Sequence, residues 1–98
     1  MKVSILDLHC LNAIADDYET AASILDDVRR SSHGRIDAAD VASCLAELVL
    51  DGMAEAYIFD ASTAEYVPVA AQPRDLGAVW FRITAAGRHQ LDENWIEE

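Results

Sequence analysis

The side chains able to do acid–base, nucleophilic or metal chemistry in this sequence are three histidines, two cysteines and 18 carboxylates. His9, His33 and His89 are dispersed, with no pair at the spacing that puts two imidazoles on one helix face. His9 and Cys10 are neighbours, so they point to different faces of the helix that holds them. Asp16-Asp17 and Asp26-Asp27 are adjacent acids, a pattern that reads as a capped helix end and a solvated helix face. No Gly-rich phosphate loop, nucleophile elbow or Cys/His couple is present. The residues therefore call for no enzyme, no metal and no cofactor. Cys10 and Cys44 fall on or near apolar faces of predicted helices, the pattern of two buried thiols in a reduced, cytoplasmic protein. A disulfide between them stays open as an alternative.

Charge is the strongest compositional signal. Eighteen acids against seven Lys plus Arg give a net charge of −11. Such a surface repels phosphate backbones and anionic membranes and favours basic partners. The few cations cluster: Arg29, Arg30 and Arg35 with His33 near the middle of the chain, and Arg74 further on. From Ile36 to Pro73 there is no Lys or Arg, while Asp37, Asp40, Glu47, Asp51, Glu55, Asp60 and Glu65 fall in that span.

The elements that position these groups can be read from period and caps. Length, 52% hydrophobic content and the lack of a linker, a repeat or a membrane-length apolar run predict one globular domain over residues 1–98. A first helix is expected from about Ile5 to Ala15, capped by Ser4 with Asp7 three residues on. Its inner stripe is Leu8, Leu11, Ile14 and Ala15, widened by Leu6. Asp16 with Glu19 predicts a second helix from Asp17 to Arg30, with Tyr18, Ala21, Ala22, Leu25 and Val28 on one side and Ile24 close by. Arg29 and Arg30 complement the dipole of its last turn.

The stretch from Asp37 to Met53 places Val41, Leu45, Leu48 and Val49 on one helix face, with Cys44 beside them. Asp37 is the expected N-cap and Gly52 the left-handed residue after the helix. Met53 to Asp60 reads as a strand with Ala56 and Ile58 on one face and Tyr57 and Phe59 on the other. Ala61 to Gly77 is expected to be a long, partly irregular wing, broken by Pro68 and Pro73, in which Glu65-Tyr66-Val67 pairs back as a short arm. Ala78 to Ile83 alternates as a second strand, and Thr84 caps a last helix containing Gly87 and Leu91.

Two segments carry a family resemblance. Ala46-Glu47-Leu48-Val49-Leu50-Asp51-Gly52-Met53 looks like the end of the recognition helix in bacterial winged-helix regulators. Trp80-Phe81-Arg82-Ile83-Thr84-Ala85-Ala86-Gly87-Arg88 is similar to the junction at which their last wing strand enters a C-terminal helix. The resemblance implies an α+β winged helix: a three-helix core, a small antiparallel sheet with a long wing, and a C-terminal helix. It also implies a one- or two-residue strand at Arg35-Ile36-Asp37 pairing with the wing. In such families the third helix enters the major groove, the wing touches the minor groove, and terminal helices pair two chains.

This sequence departs from that pattern at the surface that reads nucleic acid. Phosphate contacts need cations, and base reading typically uses Arg, Lys, Asn or Gln. The third helix offers Ser43 and Cys44 beside its acids. The expected function is therefore a protein–protein or accessory regulatory module, as a homodimer or with another protein, with Tyr57, Tyr66, Trp80 and Trp95 as interface anchors. The competing reading is a DNA-binding transcription regulator that docks through Arg29, Arg30, Arg35 and Arg74. A small-molecule sensor is a third class, but no residue pattern marks a pocket for it.

Overall fold

The computed structural model describes residues 3–32, 35–69 and 78–94. It is an α+β fold of four helices and one small antiparallel sheet. In chain order the elements are α1 (Ile5–Ala13), β1 (Glu19–Thr20), α2 (Ala21–Ser32), α3 (Ala38–Leu50), β2 (Ala54–Asp60), β3 (Glu65–Val69), β4 (Val79–Ile83) and α4 (Ala85–Asn94). The sheet runs β1-β4-β2-β3. One face packs on the helices, and α1 lies among them, touching α2, α3 and α4.

Local chemistry sets most of the boundaries. The α1 start is a reciprocal cap: Asp7 N donates to Ser4 Oγ at 3.0 Å, and Ser4 N donates to Asp7 Oδ2 at 2.9 Å. The helix ends at Ala13, two residues before its expected limit, and Ile14 is its C-cap. At α3, Asp37 is the extended N-cap residue and its N–H donates to Asp40 Oδ2 at 3.4 Å. The α3 end is a Schellman closure. Met53 N donates to Leu48 O at 2.9 Å and Gly52 N to Val49 O at 3.1 Å, with Gly52 at φ +78°.

The second helix differs from expectation. Glu19 does not sit in its first turn; Glu19 and Thr20 form β1, opposite Phe81 and Trp80 of β4. Thr20 then caps α2, its Oγ1 accepting from Ser23 N at 3.3 Å. This later start rotates the buried stripe. Ile24 and Val28 are fully buried, Ala21 and Leu25 are half-buried, and Ala22 is exposed. The expected strand at Arg35-Ile36-Asp37 is not formed; those residues are irregular, and the sheet edge is taken by β1 instead.

The hairpin is longer than its prolines predict. β3 extends through Pro68 to Val69 and pairs with β2 from Asp60↔Glu65 to Ala56↔Val69. Pro68 is tolerated because β3 is the sheet edge, where a missing N–H need not break a ladder. Residues 61–64 form the turn, with Ala64 at φ 56° and Asp60 Oδ1 accepting from both Ser62 N and Ser62 Oγ. Residues 70–77, the rest of the expected wing, lie outside the described residues, as do His33 and Gly34.

The core is the expected apolar set: Leu8, Leu11 and Ile14 of the α1 region, Val41, Leu45 and Leu48 of α3, and Phe81 of β4, joined by both cysteines and Leu91. α4 closes it from below the α3–β2 corner. Thr84 N donates to Met53 O at 3.1 Å, Thr84 Oγ1 to Gly52 O at 2.7 Å, and Gly87 N to Thr84 Oγ1 at 3.1 Å. Among the described residues, no helix is long and apolar enough to cross a membrane.

Candidate functional site

Alternation along β2, β3 and β4 sends one set of side chains into the core and the other to the open face of the sheet. Ala54, Ala56, Val79 and Phe81 are the buried set. The outer set is Glu55, Tyr57 and Phe59 on β2, Tyr66 and Pro68 on β3, and Trp80 and Arg82 on β4. Tyr18, just before β1, joins them. Among the described residues no helix covers this face, and it collects its own aromatic cluster.

The rings touch in defined geometries. Tyr18 and Tyr66 stack at 3.9 Å between centroids with 6° between their planes. Tyr57 meets Tyr18 edge-on at 5.1 Å, Trp80 meets Tyr66 at 5.7 Å, and Phe59 meets Tyr66 at 5.2 Å. The Tyr18–Tyr66 stack spans the sheet, since β1 and β3 are its two edges. Offset and edge-to-face ring pairs contribute about 0.5–1.5 kcal/mol each beyond area burial, which orders the cluster without sealing it. Phe59 remains 48% exposed. The Arg82 guanidinium lies over the Tyr18 ring, 5.2 Å from its centroid.

Three of the four expected interface residues, Tyr57, Tyr66 and Trp80, are thus brought together. Trp95 lies outside the described residues. Tyr18 was expected in the α2 stripe and instead belongs here, because the chain enters the sheet before the helix starts. Phe59 is the other member that sequence reasoning did not single out. Its alternation with Ile58 was the available signal.

Beside the cluster, the Tyr57 phenol donates to Glu55 Oε2. The carboxylate favours the protonated phenol, chiefly through this hydrogen bond, and the Tyr57 pKa is pushed up to about 12. Any stability this contributes is complete below the ordinary tyrosine pKa near 10 and is lost as pH rises toward 12. In an ultraviolet absorbance titration we expect Tyr57 to ionise near 12, above an ordinary tyrosine, and Glu55→Ala to lower it toward the ordinary range. An unchanged titration in that variant contradicts the assignment.

Three of the four residues of the expected arginine site, Arg29, Arg30 and Arg35, fall within the described residues. Arg29 Nε donates to Ile36 O at 2.8 Å and so fastens the α2–α3 connection. Arg30 pairs with Asp27 at 3.7 Å on an exposed surface. Arg35 is exposed, and Arg74 lies outside the described residues. The outward side of α3 carries Asp40, Ser43 and Glu47 and ends in Leu50, which is 85% exposed.

Two further clusters hold titratable groups. Cys44 Sγ donates to Asp7 Oδ1 at 2.9 Å, and the Cys10 thiol lies against it; both cysteines are buried and free. The Cys10 contact, then burial, then the Asp7 carboxylate push the Cys44 thiol far above its usual range. The Cys44 thiolate is disfavoured and the Cys10 side chain is fully buried, so we expect both to resist iodoacetamide in the native protein and to be alkylated on unfolding. Mass spectrometry reads the result, and rapid native alkylation of Cys44 contradicts it. The second cluster is a polar groove of about 530 Å³ between α1 and α2, lined by His9, Asp16, Asp17, Glu19, Asp27 and Arg30 among others. Within it His9 Nδ1 and Ser31 Oγ lie 3.0 Å apart. Among the described residues, no group of three or more His, Cys, Asp or Glu is arranged to hold a metal ion.

No protein-family model, curated protein or solved structure matches this chain.

Proposed function

We propose that this chain is a winged-helix domain of the regulator type that works through protein contact rather than by reading DNA. The observation that carries the reading is the outward side of α3, which presents Asp40, Ser43 and Glu47 and no cation. The scaffold half of the proposal is supported by three helices packed on one another, a hairpin wing from β2 and β3, and a C-terminal helix entered through Thr84. Against a duplex, these like charges cost several kcal/mol in total unless another surface compensates.

Of the arginines that would offer such a surface, Arg29 is engaged with the Ile36 carbonyl, and Arg30 is paired with Asp27 in a solvent-exposed contact. The aromatic outer face of the sheet supplies what a protein interface uses: large rings held in place, with an exposed Phe59 beside them. Its partner is another protein or a second copy, in an accessory or regulatory role. A reducing, cytoplasmic setting suits the two free buried thiols.

Fluorescence anisotropy of a labelled random-sequence duplex at low salt tests the reading. The expected result is no saturable binding at micromolar protein. Micromolar binding that weakens steeply with salt contradicts it and favours the arginine-docked regulator.

A further inference from the structure

We propose that the outer face of the sheet docks a basic polypeptide segment in which arginine or lysine alternates with apolar side chains. This rests on the reading of the chain as a protein-contact module, and it names the partner's chemistry.

Three observations converge on that occupant. First, the face is built from ring surfaces: Tyr18, Tyr57, Phe59, Tyr66 and Trp80 lie together, with no helix over them among the described residues. Ring faces are negative in their quadrupole and attract cations, arginine most often because its plane also stacks. Second, the chain already makes that contact with itself on this face, where Arg82 sits 5.2 Å from the Tyr18 centroid. Third, the chain carries a net charge of −11, and the hairpin Ala54–Val69, which holds most of the face, has no Lys or Arg and places Glu55 on it, opposite Arg82 of β4.

Charge decides among occupants. A second copy brings another net −11 to a surface of the same sign, and nucleic acid brings a phosphate backbone. A basic segment is drawn by the same field. Its guanidinium groups meet the tyrosine rings and Glu55, and its apolar residues meet Phe59 and Trp80. Arginine stems add further apolar cover along the ring edges.

The test uses the full chain carrying Trp95→Phe, which leaves Trp80 as its one tryptophan. Four probes are compared by Trp80 emission: a synthetic peptide alternating Arg with Leu and Tyr, the same peptide with Glu in place of Arg, a random single-stranded oligonucleotide, and dilution of the protein alone. The expected result is a saturable shift with the Arg peptide only, with Kd of tens of micromolar, weakening about tenfold from low to high salt. Phe59→Ser weakens it at least about fivefold, since an exposed anchor ring is lost, whereas Ile5→Ser at an exposed position of α1 leaves it unchanged. Amide NMR of the unaltered chain with the same peptide gives a second readout, with shifts expected in β2, β3 and β4.

No response to the Arg peptide in either readout overturns the proposal, as does an equal response to the Glu peptide. A change on dilution without any peptide response assigns the face to a second copy and leaves the protein-contact reading standing. A response to the oligonucleotide in place of the peptide overturns both.

Discussion

Replacing Phe81 with Ala is expected to remove roughly 4 kcal/mol of stability, the largest effect of any single substitution in the described core. Phe81 is fully buried on β4, the strand flanked by β1 and β2, and its register partners are Glu19 and Ala56. Its ring fills the layer between the sheet and the helices, where Ala54 and Ala56 are too small to close over a void. The loss combines the transfer free energy of the ring with the cavity it leaves. A chain of this length holds about 5–15 kcal/mol in all, so the variant retains a small margin, and its melting temperature is expected to fall by roughly 15–30 °C. Phe59→Ala is the matched control. Its ring lies on the opposite face of the sheet, is half in solvent and makes one edge-on contact, with Tyr66, so it is expected to cost about 1–2 kcal/mol. Urea unfolding followed by circular dichroism reads both. Equal losses in the two variants contradict the division of the sheet into a core face and an open face.

Gly87→Ala is expected to destabilise by about 3 kcal/mol, although Ala is ordinarily the better helix residue by about 1 kcal/mol. A Cβ at this position would fall 2.0 Å from Met53 O and 2.9 Å from Ile83 Cγ1. Met53 O is backbone, held at the corner that closes α3, and it also accepts from Thr84 N. α4 must therefore back away, which breaks the Thr84 contacts to Met53 and Gly52 and opens the core at Leu91. The close approach reverses the sign that helix propensity predicts. Gly52→Ala gives the contrast: there a Cβ meets nothing within 4 Å, and only the positive φ of 78° opposes it, at about 1–2 kcal/mol. Thermal unfolding of the two variants measures the difference. A Gly87→Ala protein as stable as the parent contradicts the tight α4 junction.

These residues also mark what could be read from the sequence. Ser4 with Asp7, Asp37, Gly52 and the Thr84 cap on Gly87 act within a few positions, so those roles are local and legible, whereas the Thr84 bonds to Gly52 and Met53 are not. The α3 stripe was legible for the same reason, since Val41, Leu45 and Leu48 repeat at helical period and all are buried. β1 was not. Two residues carry no period, and Glu19-Thr20 becomes a strand only by meeting Trp80 and Phe81 some sixty positions later. That pairing delayed the start of α2, centred its buried side on Ile24 and the expected Val28 with Ala22 left exposed, and carried Tyr18 over the outer face. Pro68 was misread because a proline breaks a central strand but not an edge, and edge position is a property of the whole sheet. At the candidate site, Tyr57, Tyr66 and Trp80 were recognisable as surplus aromatics. The Tyr18–Tyr66 stack was not, because it joins opposite edges of the sheet.

The claim on which the function rests is that charge on α3, rather than the shape of the domain, keeps the chain off DNA. Duplex binding by the native chain and by an Asp40→Lys, Ser43→Lys, Glu47→Lys variant, each titrated across a range of salt, tests it most directly. All three positions face solvent, so the substitutions leave the core untouched. The account predicts no binding by the native chain, and binding by the variant whose log affinity falls with log salt at a slope of roughly −3, one unit for each new phosphate contact. Micromolar binding by the native chain, or a variant that folds and still does not bind, contradicts it.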